Sequence, residues 1–223
     1  MAQEPLTGRG RRSRERIVDA AAALVAERGV AGTSLDQILE AAGASKSQLY
    51  HYFTDKGDLV RAVIARRVGE TVDGVNPMIG GIDSLDDLRR WFDWMIAQNE
   101  EHGCPGCPIG TLASELAGCD EAARADLACG FDTWSGFVTD GLARMQAAGE
   151  LDERADPRRL GTAVLAAIQG GLLLAKTHQD PQYLRDALDT AYDHLRSLAV
   201  QRAPRRGHPG GTGPVKAKRS DVK

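Results

Sequence analysis

Apolar residues recur along this chain at spacings of three and four, the repeat of a helix with one buried face. No stretch reads as a credible strand, and there is no internal repeat. From about Ser13, Ile17, Ala21, Leu24 and Val25 share a face, and Gly29 closes that helix. Leu35, Ile38 and Leu39, then Leu49 and Phe53, give the apolar sides of two short helices joined at Gly43. Leu59, Val60, Val63, Ile64 and Val68 stripe a fourth helix, capped by Thr54 or Asp55 and expected to end near Gly74. A loop holding Pro77, Gly80 and Gly81 follows. Ser84 with Asp87 opens a fifth helix, to about Glu101, through Leu85, Leu88, Trp91, Phe92, Met95 and Ile96.

The same reading predicts a short helix from Ile109 to about Ala117 and a long one from Asp120 to about Ala148. Asp156-Pro157 and Asp180-Pro181 each set a carboxylate cap before a proline, a strong helix start. These open the last two helices, to about His178 and Val200. The total is an all-α protein of about nine helices. A small N-terminal three-helix domain precedes a larger helical one.

Within the first domain, Thr33–Lys56 carries the densest chemistry. Ser34 with Gln37 and Ser45 with Gln48 are two capping boxes eleven residues apart, with Gly43 suited to a left-handed turn between them. Helix, glycine turn, helix is the pattern of a DNA-binding helix-turn-helix. The start of its second helix would meet base edges with Lys46, Ser47 and Gln48. Lysine can donate to guanine and glutamine can pair with adenine. Gln48 is partly committed to its capping box, which favours Lys46 for direct readout. Ser45, Tyr50, His51 and Tyr52 lie on the same short helix, the tyrosines able to donate to phosphate. Lys56 pairs a cation with a helix start, which suits phosphate, and Thr33 and Ser34 could bond phosphate from the first helix of the pair.

Charge divides the chain in the same places. Residues 1–67 carry eleven Lys/Arg against eight Asp/Glu, a balance of +3. Residues 68–203 stand at −11 and residues 204–223 at +5. A basic end on an acidic body suits a protein whose one end meets a polyanion. The expected organisation is a flexible basic arm (1–12), a DNA-binding domain (13–68), a regulatory and dimerisation domain (69–201) and a disordered basic tail (202–223). No secretory signal is visible, and the sixteen apolar residues Leu160–Ala175, interrupted by Gln169, read as too short to span a membrane. A cytoplasmic location is expected.

From Arg14 to Val68 the chain resembles the N-terminal domain of the TetR family of bacterial transcriptional regulators. The likeness rests on AxxLxAExG followed by GxxxTSLDQILEAAGASKSQLYHYFxDKGDL. It includes Gly29, Thr33, Ser34, Ile38, Ala42, Gly43, Ser45, Lys46, Leu49, Tyr50, Tyr52, Phe53, Lys56 and Leu59. The family often has glycine where Ser47 stands and alanine where Leu39 stands. The first of these departures touches a base-reading position, so no operator sequence is implied. The resemblance implies a homodimer on a palindromic operator, with the last two helices, about 156–200, forming a four-helix interface with their copies.

Residues 84–200 resemble the LmrA/YxaF-type regulatory domains, chiefly through Cys107-Pro108-Ile109-Gly110-Thr111-Leu112-Ala113-Ser114-Glu115. That implies a helical cavity whose small-molecule occupant shifts the DNA-reading helices. Trp91, Trp94, Met95, Cys107, Ile109, Leu112, Phe131, Trp134, Phe137, Gln169, Leu172 and Leu173 are the lining candidates, and they suit a hydrophobic or planar effector. About half are expected to touch it, since aromatics at helical spacing are usually core. Cys104 and Cys107 form a lone CxxC, which opens thiol or metal sensing as an alternative. No cofactor is expected. Five scattered histidines and no phosphate loop argue against an enzyme.

Overall fold

The computed structural model describes residues 7–79 and 81–200. The first six residues of the expected arm, Gly80 and the basic tail from 202 onward lie outside them. Among the described residues the chain forms nine helices and no strand beyond an isolated antiparallel bridge between Leu151 and Ala199.

Helix α1 is Gly8–Arg28, capped by the Thr7 hydroxyl on the Gly10 N–H. It begins five residues before the expected Ser13, so Gly8–Arg12 are helical rather than part of a flexible arm. Helices α2 (Leu35–Ala42) and α3 (Lys46–Tyr52) follow, then α4 (Lys56–Ile79). Ile17, Ala21, Ile38, Leu39, Leu49, Phe53, Leu59 and Val63 close a small core between these four.

Helix α4 corrects two expectations. It continues through Gly74 and Pro77 to Ile79 instead of ending in a loop. It also belongs to both halves of the molecule. Leu59 and Val63 face the small core, while Val60 and Ile64, with Val25 of α1, bury into the large one. Residue 68 lies within this shared helix. α1 and the two short helices after it bury too little surface to stand alone, and α4 supplies the rest by welding them to the body.

The body comprises α5 (Leu85–Glu101), α6 (Pro108–Leu116), α7 (Glu121–Ala147), α8 (Pro157–His178) and α9 (Gln182–Ser197). Ser84, Asp120 and Asp156 cap α5, α7 and α8 as expected. α9 differs. Asp180 accepts from the Gln182 N–H, but Pro181 is the capping residue and its helix lacks a side-chain cap. α9 also stops at Ser197, before the expected Val200, because the Val200 N–H turns to the Glu150 carbonyl.

α8 is longer than the sixteen-residue apolar stretch suggested, and by length and composition alone it could cross a membrane. Its Leu160, Val164, Ile168 and Ala175 are buried, as on the inner face of a core helix. The opposite side is apolar as well, with Leu173 and Leu174 exposed. A helix apolar on both sides needs a second surface to cover it.

Candidate DNA-reading surface and regulatory cavity

Both capping boxes form. The Gln37 N–H donates to Ser34 Oγ and the Ser34 N–H to Gln37 Oε1; Ser45 and Gln48 repeat the exchange at 3.2 and 2.9 Å. Gly43, at φ 57° and ψ 41°, supplies the left-handed turn between α2 and α3. Leu49 is fully buried and pins α3 to the small core. That single anchor turns the rest of the seven-residue helix outward. Ser45, Lys46, Ser47, Gln48, Tyr50 and His51 are all exposed, Tyr50 by 59%. Tyr52 is half-buried, with its ring edge-to-face against His51 at 4.8 Å.

Several expected contacts are partly occupied by the protein itself. Lys46 pairs with Asp36 of α2 at 3.1 Å, but both side chains are mostly exposed, so a base edge or phosphate can displace this weak bridge. Gln48 spends Oε1 on its cap, which leaves its amide N–H groups as the donors it can offer outward. The Ser34 hydroxyl donates to Gln37 Oε1. Lys56 donates to the Val30 carbonyl at 2.7 Å and is half-buried, so its ammonium is chiefly a tie between α4 and the α1–α2 turn. Thr33 is a correction. It is 1% exposed, and its hydroxyl donates to the Gly29 carbonyl at 2.8 Å, which removes it from any phosphate.

The body holds a cavity of about 660 Å³ between α6, α7, α8 and the loop before α6. Of the expected lining residues, Cys107, Phe131, Gln169 and Leu173 meet there. The others do not line it. Trp91, Met95, Ile109, Leu112, Trp134 and Leu172 are buried in the large core, and Trp94 and Phe137 pack against it. Their helical spacing marked the inward stripe, which is where large side chains fill space. Thr111, Ser114, Lys176 and Thr177 line the cavity and were missed. Polar residues at the edge of an apolar stripe were the available signal.

Cys104 and Cys107 are both buried free thiols. Burial pushes the Cys107 thiol up, and the Gly110 N–H, the nearby Gln169 amide and the Ile109 N–H offset only part of that. Cys107 instead caps α6, its sulfur accepting from the Gly110 N–H at 3.3 Å. A reactive sensor needs the opposite shift. Among the described residues no three His, Cys, Asp or Glu side chains cluster to hold a metal.

Besides the apolar packing of Val25, Val60 and Ile64, a charged contact joins the two halves. Glu115, at the end of α6, accepts from the Val30 N–H at 2.7 Å, while Lys56 holds the carbonyl of the same residue. Neither end of this contact was legible beforehand, because the partners lie 85 residues apart.

Residues 17–63 match the model of the tetR family of bacterial regulatory proteins, and residues 84–190 match the C-terminal domain of LmrA/YxaF-like transcriptional regulators. An uncharacterised HTH-type transcriptional regulator in the lacX 3′ region of Lactococcus lactis is 31% identical over 83% of this chain and 95% of its own. The HTH-type regulator YxaF of Bacillus subtilis is 28% identical over 78% and 90%. The crystal structure of a regulatory protein TetR from Rhodobacter sphaeroides superposes with a TM-score of 0.71 at 27% identity, over 82% of this chain and 98% of that one. With its two capped helices, glycine turn and helical body, the chain belongs to the TetR family of DNA-binding transcriptional regulators, a family of regulators and not of enzymes.

Proposed function

We propose that this protein is a ligand-responsive repressor of the bacterial cytoplasm that binds a palindromic operator as a homodimer. A small molecule with a hydrophobic or planar body, held in the cavity beside Gln169, releases it. The outward face of α3 carries this reading, since a single buried anchor leaves five polar or aromatic residues of one short helix exposed, together with its Ser45 cap. Lys46, Ser47 and Gln48 read base edges, while Ser34, Ser45, Tyr50, His51 and Tyr52 hold the backbone, with Lys56 contributing field more than contact.

Dimerisation uses α8 and α9. Leu173, Leu174 and Tyr183 are exposed there, and a groove of about 290 Å³ between the helices is floored by Ala163, Ala167, Ala187 and Ala191. Small residues let two further helices approach closely. Two α3 helices then face successive major grooves, which one helix cannot do.

Selection of bound sites from a random DNA pool tests the assignment. Lys46→Ala is expected to change which sites are preferred. Tyr50→Phe is expected to weaken all sites about equally, by roughly threefold to tenfold, as loss of a phosphate contact should. Site preference and affinity unaltered in both variants would remove α3 as the reading helix.

Coupling runs through α6. This helix lines the cavity with Gly110, Thr111 and Ser114, and its next residue, Glu115, holds Val30 beside the DNA-binding helices. Glu115→Ala is expected to raise hydrogen exchange at the Val30 amide and to shift operator affinity by about threefold to tenfold. If exchange and affinity both stay put, Glu115 is not the link.

A further inference from the structure

We propose that the effector is an organic anion, a molecule with an apolar body and a carboxylate or similar oxyanion held between the Lys176 ammonium and the Gln169 amide. This rests on the reading of the cavity as the effector site, and it names the chemistry that site selects.

Gln169 provides the first observation. Its Nε2 is sealed from solvent and finds no hydrogen-bond partner of acceptable geometry. Its Oε1 is turned towards Gly110, where an added Cβ would lie only 2.7 Å away. Buried amide N–H groups are nearly always paired. Gln169 already lines the cavity, so a turn of its amide away from the neighbouring Cys107 sulfur brings Nε2 to an acceptor bound there.

Lys176 provides the second. Its stem crosses Gly106, whose φ of 79° and missing side chain make room: a Cβ there would meet Lys176 Cδ at 2.8 Å. The lysine is thereby laid along the cavity wall. Among the described residues no carboxylate pairs with it, and no Asp or Glu lines the cavity. This is notable in a body whose formal charge is −11. A lining stripped of acids and holding one cation attracts an anion.

The remaining lining agrees. The hydroxyls of Thr111, Ser114 and Thr177 donate to backbone carbonyls of their own helical segments, so they do not compete as donors. Phe131, Leu173 and Ala113 supply the apolar walls. An amide N–H and an ammonium beside such walls bind an acyl or aryl carboxylate by a charge-assisted pair and cover its body.

Isothermal titration of the full chain tests this with matched probes: benzoate, 2-naphthoate and decanoate against their carboxamides. In at least one pair the carboxylate is expected to bind about tenfold tighter than its amide. Lys176→Ala should erase that ratio and Lys176→Arg should keep it. Gln169→Glu, which places a second negative charge at the site, should weaken the carboxylate more than the amide. A ratio near one in every pair, or one that survives Lys176→Ala, overturns the proposal. Amides that bind as well as the acids and still release operator DNA would overturn the anion and leave the effector cavity standing. Failure of every acid and every amide to bind would overturn the anion. Release by any neutral compound, blocked by filling the cavity with Ala113→Trp, would in that case still uphold the cavity.

Discussion

Leu174→Glu is expected to yield a folded monomer that binds operator DNA about 100-fold more weakly than the parent protein. Leu174 is 45% exposed on the outer side of α8, beside Leu173 at 64%, on a helix whose inner side is already buried. In a homodimer packed through α8 and α9 those side chains meet their copies. Two carboxylates would then sit near the two-fold axis without partners, at a cost of roughly 3–5 kcal/mol, enough to dissociate the interface. A monomer places one seven-residue helix on DNA. It loses half of the phosphate contacts and all of the gain from linking two half-sites. Sedimentation equilibrium and operator titration read the two effects together, with circular dichroism confirming the fold. A Leu174→Glu protein that remains a dimer would move the interface elsewhere. Leu173 is the poorer choice for this test because it also lines the cavity.

Leu49→Ala is expected to abolish DNA binding while the body stays folded. Leu49 is the one fully buried residue of α3, packed in a core of about ten residues. Leucine truncation in a core costs about 2–5 kcal/mol, and a unit this small has little to spare. Leu49 belongs to the small core and not to the large one built around Trp91, Phe92, Ile109 and Leu142. Calorimetry should therefore show an early transition for the N-terminal helices and a later one for the body. Val60 and Ile64 tie α4 into the large core, so part of α4 should persist through the first transition. A single transition at the parent temperature, with operator binding intact, would show that α3 is not held by this contact.

How far the chain could be read follows the range of the forces involved. Capping boxes and the glycine turn act over three or four residues, so Ser34–Gln37, Gly43 and Ser45–Gln48 were legible and form as expected. Helix ends were less so where a tertiary partner competes. Gly74 and Pro77 do not stop α4, and Val200 leaves α9 for the Glu150 carbonyl. Side chains in the candidate sites were hardest. Thr33 stands at a helix start where a hydroxyl suits phosphate, yet its hydroxyl donates to the Gly29 carbonyl, and the helical spacing that marks Trp91 as cavity wall equally fits its place in the large core.

Periodicity and local capping suffice for nine helices, the helix-turn-helix and its outward residues, because those features depend on neighbours within a turn. The Glu115–Val30 contact and the placing of Lys176 over Gly106 join residues 85 and 70 positions apart in the chain. Such pairs come together only when long-range burial packs α6 and α7 on α4 and α8 on α7, so the contacts proposed to connect effector and DNA exist in the packed fold and in no local stretch of it.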